Sequence, residues 1–281
     1  GILGACFAAK GQPPPMTNPS YTLFDIGANL THDSFASHFE QMLDRAWQAG
    51  VSQISVTGAS LQGSLDALAL ARQSQGYLWA TAGIHPHHAN DTDAAALAQL
   101  RQLASAPEVR AIGETGLDFF RDFCPRAQQE KSFEAHIELA IATGLPMFLH
   151  ERDASQRFLE LLRPCRDQLT NLVVHCFTGE AKALYAYLDL DCYIGITGWI
   201  CDERRGTHLL PLMQDIPANR LLLETDAPYL LPRNISPKPR SRHNEPCNLP
   251  YVCAAIASAT GKDFADIANS TTANARNFFR L

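Results

Sequence analysis

The chain has 281 residues, 46% of them hydrophobic and 19% charged, which supplies material for a sizeable core and too few charges for a disordered chain. Its 23 Lys and Arg against 29 Asp and Glu leave a formal net charge of −6, which excludes a protein that coats nucleic acid by bulk electrostatics. A local basic patch that grips phosphates remains compatible with that balance, and no apolar run approaches the roughly 20 residues of a membrane span.

Residues 1–20 lack an initiating Met, contain Pro13-Pro14-Pro15 and carry an apolar stretch with no basic region ahead of it. A signal peptide needs that basic region, so the segment is expected to be a flexible leader or an expression remnant. Residues 21–281 are expected to form a single domain. The eight cysteines (6, 124, 165, 176, 192, 201, 247 and 253) include no CxxC pair, and most sit in apolar runs such as Val173-Val174-His175-Cys176-Phe177. Reduced thiols in the cytoplasm fit this pattern better than a secreted disulfide framework.

From residue 21 onward, short β-rich runs alternate with longer helical patterns. Strands are expected at 23–28, 53–57, 78–83, 109–113, 146–149, 172–174, 193–196 and 221–223. Amphipathic stretches lie between them, for example at 34–49, 94–105, 127–143 and 155–169. In 127–143 the apolar Phe133, Ile137, Ala140 and Ile141 recur at helical spacing. Segments 211–217 and 228–250 read as loops. Apolar strands alternating with helices imply βαβ units and a parallel sheet covered on both faces. Eight units in this length predict an α/β fold, a closed TIM-type (β/α)₈ barrel. An open doubly wound sheet is the alternative, but its Gly-rich fingerprint is missing after strand one, where the chain reads Gly27-Ala28-Asn29-Leu30.

Chemistry in such a barrel collects at the C-terminal strand ends. Strand three runs into His85, strand four into Glu114, strand five into His150, strand six into His175 and strand eight into Asp226. Any one of these could cap a helix or bond a backbone group; together they converge on one mouth. Glu114, His150 and His175 are expected to hold a metal, with Asp226 completing the site by accepting a proton from water, hydrogen-bonding it or binding the metal directly. Two imidazoles and two carboxylates suit Zn²⁺, Mn²⁺ or Mg²⁺, ions that polarise a phosphoryl or carbonyl oxygen and make water more acidic.

At these residues the chain resembles the TatD-family metal-dependent deoxyribonucleases, over about residues 24–279. The resemblance is carried by Gly83-Ile84-His85-Pro86, Gly113-Glu114-Thr115-Gly116-Leu117-Asp118, His150 with Arg152, His175-Cys176-Phe177-Thr178-Gly179 and Glu224-Thr225-Asp226-Ala227-Pro228. It implies a TIM-type barrel and Mg²⁺-assisted phosphodiester hydrolysis, typically exonucleolytic from the 3′ end of single strands. It places His85 near the mouth, where it could orient substrate, bind phosphate or take a proton; His87 and His88 are expected to face solvent. Most members carry Asp-x-His-x-His on strand one. Here Gly27 and Asn29 stand where those histidines would be, which points to one firm ion and at most a weak neighbour. With fewer nitrogen donors, Mg²⁺ or Mn²⁺ is favoured over Zn²⁺.

An acidic nuclease needs local cations. Residues 233–242 carry Arg233, Lys238, Arg240 and Arg242 without one acid and follow Asp226; Arg204 and Arg205 follow strand seven beside Trp199, and Tyr229 follows strand eight. Arg152, Trp199, Arg204, Arg205, Tyr229, Lys238, Arg240 and Arg242 are therefore the expected substrate-binding residues, since single-strand binding pairs cations with aromatic platforms. The expected partner is single-stranded DNA, with RNA as a second candidate; a monomer is the default, with no obligate protein partner. The alternatives are a small-molecule amidohydrolase or lactonase using the same metal, against which the cations argue, and a decayed site kept for binding.

Overall fold

The computed structural model describes residues 20–281; the expected leader, Ser20 apart, lies outside them. Eight strands form one parallel sheet in chain order: β1 (Leu23–Ala28), β2 (Val51–Val56), β3 (Leu78–Ala82), β4 (Val109–Asp118), β5 (Met147–Arg152), β6 (Leu172–Val174), β7 (Tyr193–Ile196) and β8 (Leu221–Leu223). Each strand pairs with the next in sequence, so no strand order reverses and the doubly wound alternative falls. Just past β8 the seam to β1 is bridged at the mouth: the Asp226 N–H donates to the Gly27 carbonyl and the Asn29 N–H to the Ala227 carbonyl, both at 2.8 Å. The sheet is the expected (β/α)₈ barrel.

Helices α1 (Phe39–Gln48), α2 (Leu61–Gln73), α3 (Ala94–Leu103), α4 (Arg126–Thr143), α5 (Ser155–Leu162) and α6 (Ala181–Asp189) fill the first six crossovers. Three differences from the sequence reading have local causes. The expected helix at 34–49 begins only at Phe39, because the His32 ring caps a separate short turn by accepting the Ser34 N–H at 3.1 Å. The one at 155–169 stops being α-helical at Leu162 and continues as a 3₁₀ segment, since Pro164 lacks an N–H and its ring crowds the preceding turn. Between β7 and β8 the chain makes three 3₁₀ segments, one starting at Pro211, in place of a crossover helix; α7 (Leu249–Thr260) and α8 (Phe264–Phe279) follow β8 instead.

β4 and β5 run five and three residues further than 109–113 and 146–149 predicted. The register between them shifts at Gly113/Thr115, and the two backbones then press together so closely that a side chain on Gly116 (φ 147°) would run into the His150 carbonyl. Glu114 is thus part of a bulged strand and not a residue just beyond one.

Inside the barrel Phe24, Ile26, Ala111, Phe148, Val173, Tyr193 and Leu222 pack as one apolar column. Phe279 stacks on Phe24 (5.5 Å) and Phe278 meets Tyr193 edge-on (5.4 Å), so α8 plugs the end where the strands begin. Only the opposite end, where the strands finish, is left for chemistry. Among the described residues no helix is long and apolar enough to cross a membrane.

Candidate active site

The strand-end residues converge on a single carboxylate oxygen. Glu114 Oε2 lies 2.5 Å from His175 Nε2, 3.3 Å from His150 Nδ1 and 3.4 Å from His85 Nε2. Past β6 and β8 the chain turns sharply through left-handed residues, Cys176 (φ 48°) and Asp226 (φ 54°), which non-glycine residues adopt mainly where surrounding structure imposes it, often at functional sites.

The charges around this oxygen are strongly coupled. Burial opposes ionisation of Glu114, but His175 and His85 outweigh it and hold the carboxyl well below its usual range. Burial also opposes a charge on His175, yet Glu114 on one side and Glu224 on the other raise it well above an ordinary imidazole. Burial pushes His85 down to about 4 in spite of Glu114. Burial pushes the Asp226 carboxyl up, His175 draws it back, Glu114 and Glu224 push it up again, and it settles at about 7.

A second layer orients these groups. Glu224, fully buried, takes His175 Nδ1 on one oxygen (2.9 Å) and the Cys176 N–H on the other (3.0 Å). Asp118 Oδ2 meets His150 Nε2 at 2.9 Å and His87 Nε2 at 3.0 Å. Carboxylates of this kind fix the tautomer and ring orientation of a metal-ligating histidine. Sequence reasoning singled out neither. Both stand in motifs it quoted, and the available signal was period two: residues two or four apart along a strand share a face.

The strand-one departure has a packing cause. A Cβ on Gly27 would sit 2.8 Å from Phe148 Cζ and 3.0 Å from Glu224 Oε1, and one on Gly195 would collide with the other Glu224 oxygen. The two glycines clear the space that the Glu224 carboxylate fills. Asn29 turns its amide nitrogen, not its oxygen, toward the site, donating to Asp226 Oδ1 (3.0 Å) and to the carbonyls of Asp226 (3.3 Å) and Ala227 (3.2 Å).

The donor set fits a divalent cation. His85, Glu114 and His150 place donor atoms within 4.8 Å of one another, and His175, Glu224 and Asp226 do the same. Mixed imidazole and carboxylate donors suit a hard or borderline ion.

Of the expected substrate-binding residues, Arg152, Trp199, Arg205 and Tyr229 line the cavity of about 660 Å³ that opens over these groups. Arg204, Lys238, Arg240 and Arg242 lie outside it. Arg204 and Arg205 are both paired with Asp202 (3.1 and 3.0 Å), and Arg233 with Glu203 (2.6 Å). Segment 233–242 has no acid of its own, but the fold brings Arg233 two from the loop after β7, Glu203 and, at 4.0 Å, Asp202. Lys238, Arg240 and Arg242 are exposed and, among the described residues, carry no ion pair. His88 is exposed as expected; His87, expected to face solvent, instead packs against Asp118 and lies 4.2 Å from the His85 ring.

One buried imidazole supports the mouth from behind. His136 on α4 donates from Nδ1 to the Ser132 carbonyl (2.7 Å) and accepts the Ile84 N–H at Nε2 (2.9 Å), one residue before His85. Burial pushes it down to about 4 from an unfolded value of 6.5. Above pH 6.5 the ring is neutral in both states and contributes no pH dependence. Between 6.5 and 4 only the unfolded chain takes up the proton, so stability falls on acidification by up to about 3 kcal/mol. Denaturant unfolding at pH 7 and pH 4.5 checks this: His136→Gln should lose less stability between the two than the parent, and equal losses would clear His136 of the effect.

A TIM-type barrel with imidazoles and carboxylates converging at its C-terminal mouth defines a metal-dependent hydrolase. The chain belongs to the TatD-related DNase family, whose family model matches residues 24–280. Proteins named 3′-5′ ssDNA/RNA exonuclease TatD from Erwinia tasmaniensis and Edwardsiella piscicida are 49% and 51% identical to it over 259 residues, which covers 92% of this chain and 100% of each relative. Among solved structures, the TatD homolog YjjV from Escherichia coli K12 superposes with a TM-score of 0.84 at 28% identity, covering 92% of this chain and 98% of that one. A TatD-family hydrolase from Entamoeba histolytica gives 0.81 at 26% identity with the same coverage.

Proposed function

We propose that this chain is an exonuclease that shortens single-stranded DNA, and RNA as a second substrate, from the 3′ end with Mg²⁺ as its ion and Mn²⁺ or Zn²⁺ as substitutes. The observation that carries the reading is the convergence of three imidazoles on Glu114 Oε2 beneath an open cavity lined by Arg152, Trp199 and Tyr229. The names of relatives about half identical over nearly the whole chain support the polarity and the substrate.

In this reading Glu114, His150, His175 and Asp226 hold the ion. Glu224 is set aside because both its oxygens are committed to His175 and Cys176. His85 is set aside because its Nδ1 accepts the His87 N–H (3.0 Å), which leaves the neutral ring's proton on Nε2, facing the site. It acts as a donor that orients a phosphate oxygen. The ion supplies Lewis acidity and activates water when bound. Asp226, held at Oδ1 by Asn29, takes up the proton. The chain works in the cytoplasm as a monomer, without an obligate protein partner.

The test uses single-stranded oligonucleotides blocked at the 3′ or the 5′ end, with Mg²⁺ added, beside a panel of lactones and amides. Stepwise shortening of 5′-blocked strands alone is expected. Efficient lactone turnover without strand cleavage would overturn the reading in favour of a small-molecule hydrolase.

A further inference from the structure

We propose that Phe120 and Arg121, on the loop after β4, join Arg152 in a subsite that holds the strand behind its scissile end and directs it into a second cavity. The proposal rests on the exonuclease reading above. The second cavity, about 760 Å³, adjoins the first; the two share Glu151, Arg152, Thr178 and Trp199. Phe120 lines the second cavity, Arg121 the first, and Arg152 both.

The chemistry at this ridge suits a nucleotide. Phe120 is 52% exposed, an aromatic side chain open to solvent at the ridge where a base could stack. The Arg152 guanidinium lies 3.9 Å from its centroid and that of Arg121 5.6 Å away. Among the described residues neither guanidinium has an ion pair, whereas on the neighbouring loops Arg204 and Arg205 share Asp202 and Arg233 pairs with Glu203. Free guanidinium forks beside an exposed ring offer a phosphodiester paired hydrogen bonds and its base a platform. The second cavity is lined by Arg163 and Lys182 and by four acids. Glu160 is held by Arg157 (3.1 Å), Glu151 is bonded to the Ala154 N–H (3.1 Å) and the Tyr187 hydroxyl, and Asp153 and Glu180 are exposed without an ion pair among the described residues. The phosphate is therefore held at the ridge by Arg121 and Arg152 and not by the cavity beyond it.

The subsite is registered to the reaction centre by one carboxylate. Asp118 Oδ1 accepts the backbone N–H groups of Phe120 (3.1 Å) and Arg121 (2.7 Å), while Oδ2 of the same side chain meets His150 at 2.9 Å. The loop that would hold the strand and the histidine that would hold the ion therefore share an anchor. Stacking and phosphate pairing do not read the sugar, so DNA and RNA strands are both accommodated.

The test measures kcat/KM with Mg²⁺ on DNA and RNA ladders from dinucleotide to decanucleotide. The parent should gain with length until the strand crosses the ridge. Phe120→Ala/Arg121→Ala should lose about tenfold on the decanucleotide, mainly in KM, and the gain with length should flatten; Phe120→Trp should keep it. A double variant that keeps the parent's length gain overturns the subsite alone, and so does an equal loss at every length, which would mean a damaged centre. A parent that cleaves no oligonucleotide of any length overturns the exonuclease reading and the subsite with it.

Discussion

Glu114→Gln should abolish metal-stimulated cleavage, by about a thousandfold or more, while the barrel stays folded. The magnitude follows from the several kcal/mol that a correctly held ion contributes to transition-state charge stabilisation, about 1.4 kcal/mol per tenfold. The side chain neighbours His85, His150 and His175 alike, and its Oε2 is the atom that meets all three. An amide keeps the volume but replaces an anion with a neutral oxygen and an N–H₂ that cannot ligate. Removing one partner of a buried ion pair is costly when it strands a charge. Here His175 sheds its extra proton instead, because Glu114 is one of the two carboxylates that raise it. Calorimetric Mg²⁺ titration, circular dichroism and a cleavage assay check the three parts. A variant that binds and cleaves within tenfold of the parent would remove Glu114 from the ligand set.

Much of this architecture is legible in the bare chain. Strands at 23–28, 172–174, 193–196 and 221–223 coincide with β1, β6, β7 and β8 because each is a short, mostly apolar run (β1 broken only by the buried Asp25), the mark of a strand buried on both faces. The polar residue that ends such a run has no packing reason to be there, which is why Glu114, His150, His175 and Asp226 stood out. What escaped is what depends on pairing between distant loops. Nothing local to residues 233–242 announces that Glu203 will lie 2.6 Å from Arg233. His87 looks like a loop residue until β4 is extended to Asp118, which then faces it. Phe120 reads as ordinary loop content; only the fold sets it under Arg152.

Glu224→Gln should weaken Mg²⁺ binding about ten- to hundredfold, the usual cost of losing an outer carboxylate, with cleavage recovering toward the parent's rate at saturating ion. Glu224 accepts two hydrogen bonds, from His175 Nδ1 and the Cys176 N–H. Glutamine has one acceptor oxygen, so one of those donors must go without. If the amide N–H₂ faces Nδ1, the His175 ring must carry its proton on Nε2, the nitrogen that faces Glu114, and a protonated nitrogen cannot ligate. If the oxygen faces Nδ1, the N–H₂ confronts the Cys176 N–H and the turn after β6 shifts. Gly27→Ala should reproduce the defect without touching a titratable group, because its Cβ would press on Glu224 Oε1 at 3.0 Å and on Phe148. Cleavage measured across a Mg²⁺ titration separates the possible roles. A rate that recovers at high ion marks Glu224 as the residue that positions His175. A rate that stays a thousandfold down at every concentration would make it a ligand, and a curve unchanged from the parent's would leave the buried carboxylate without a part in the site.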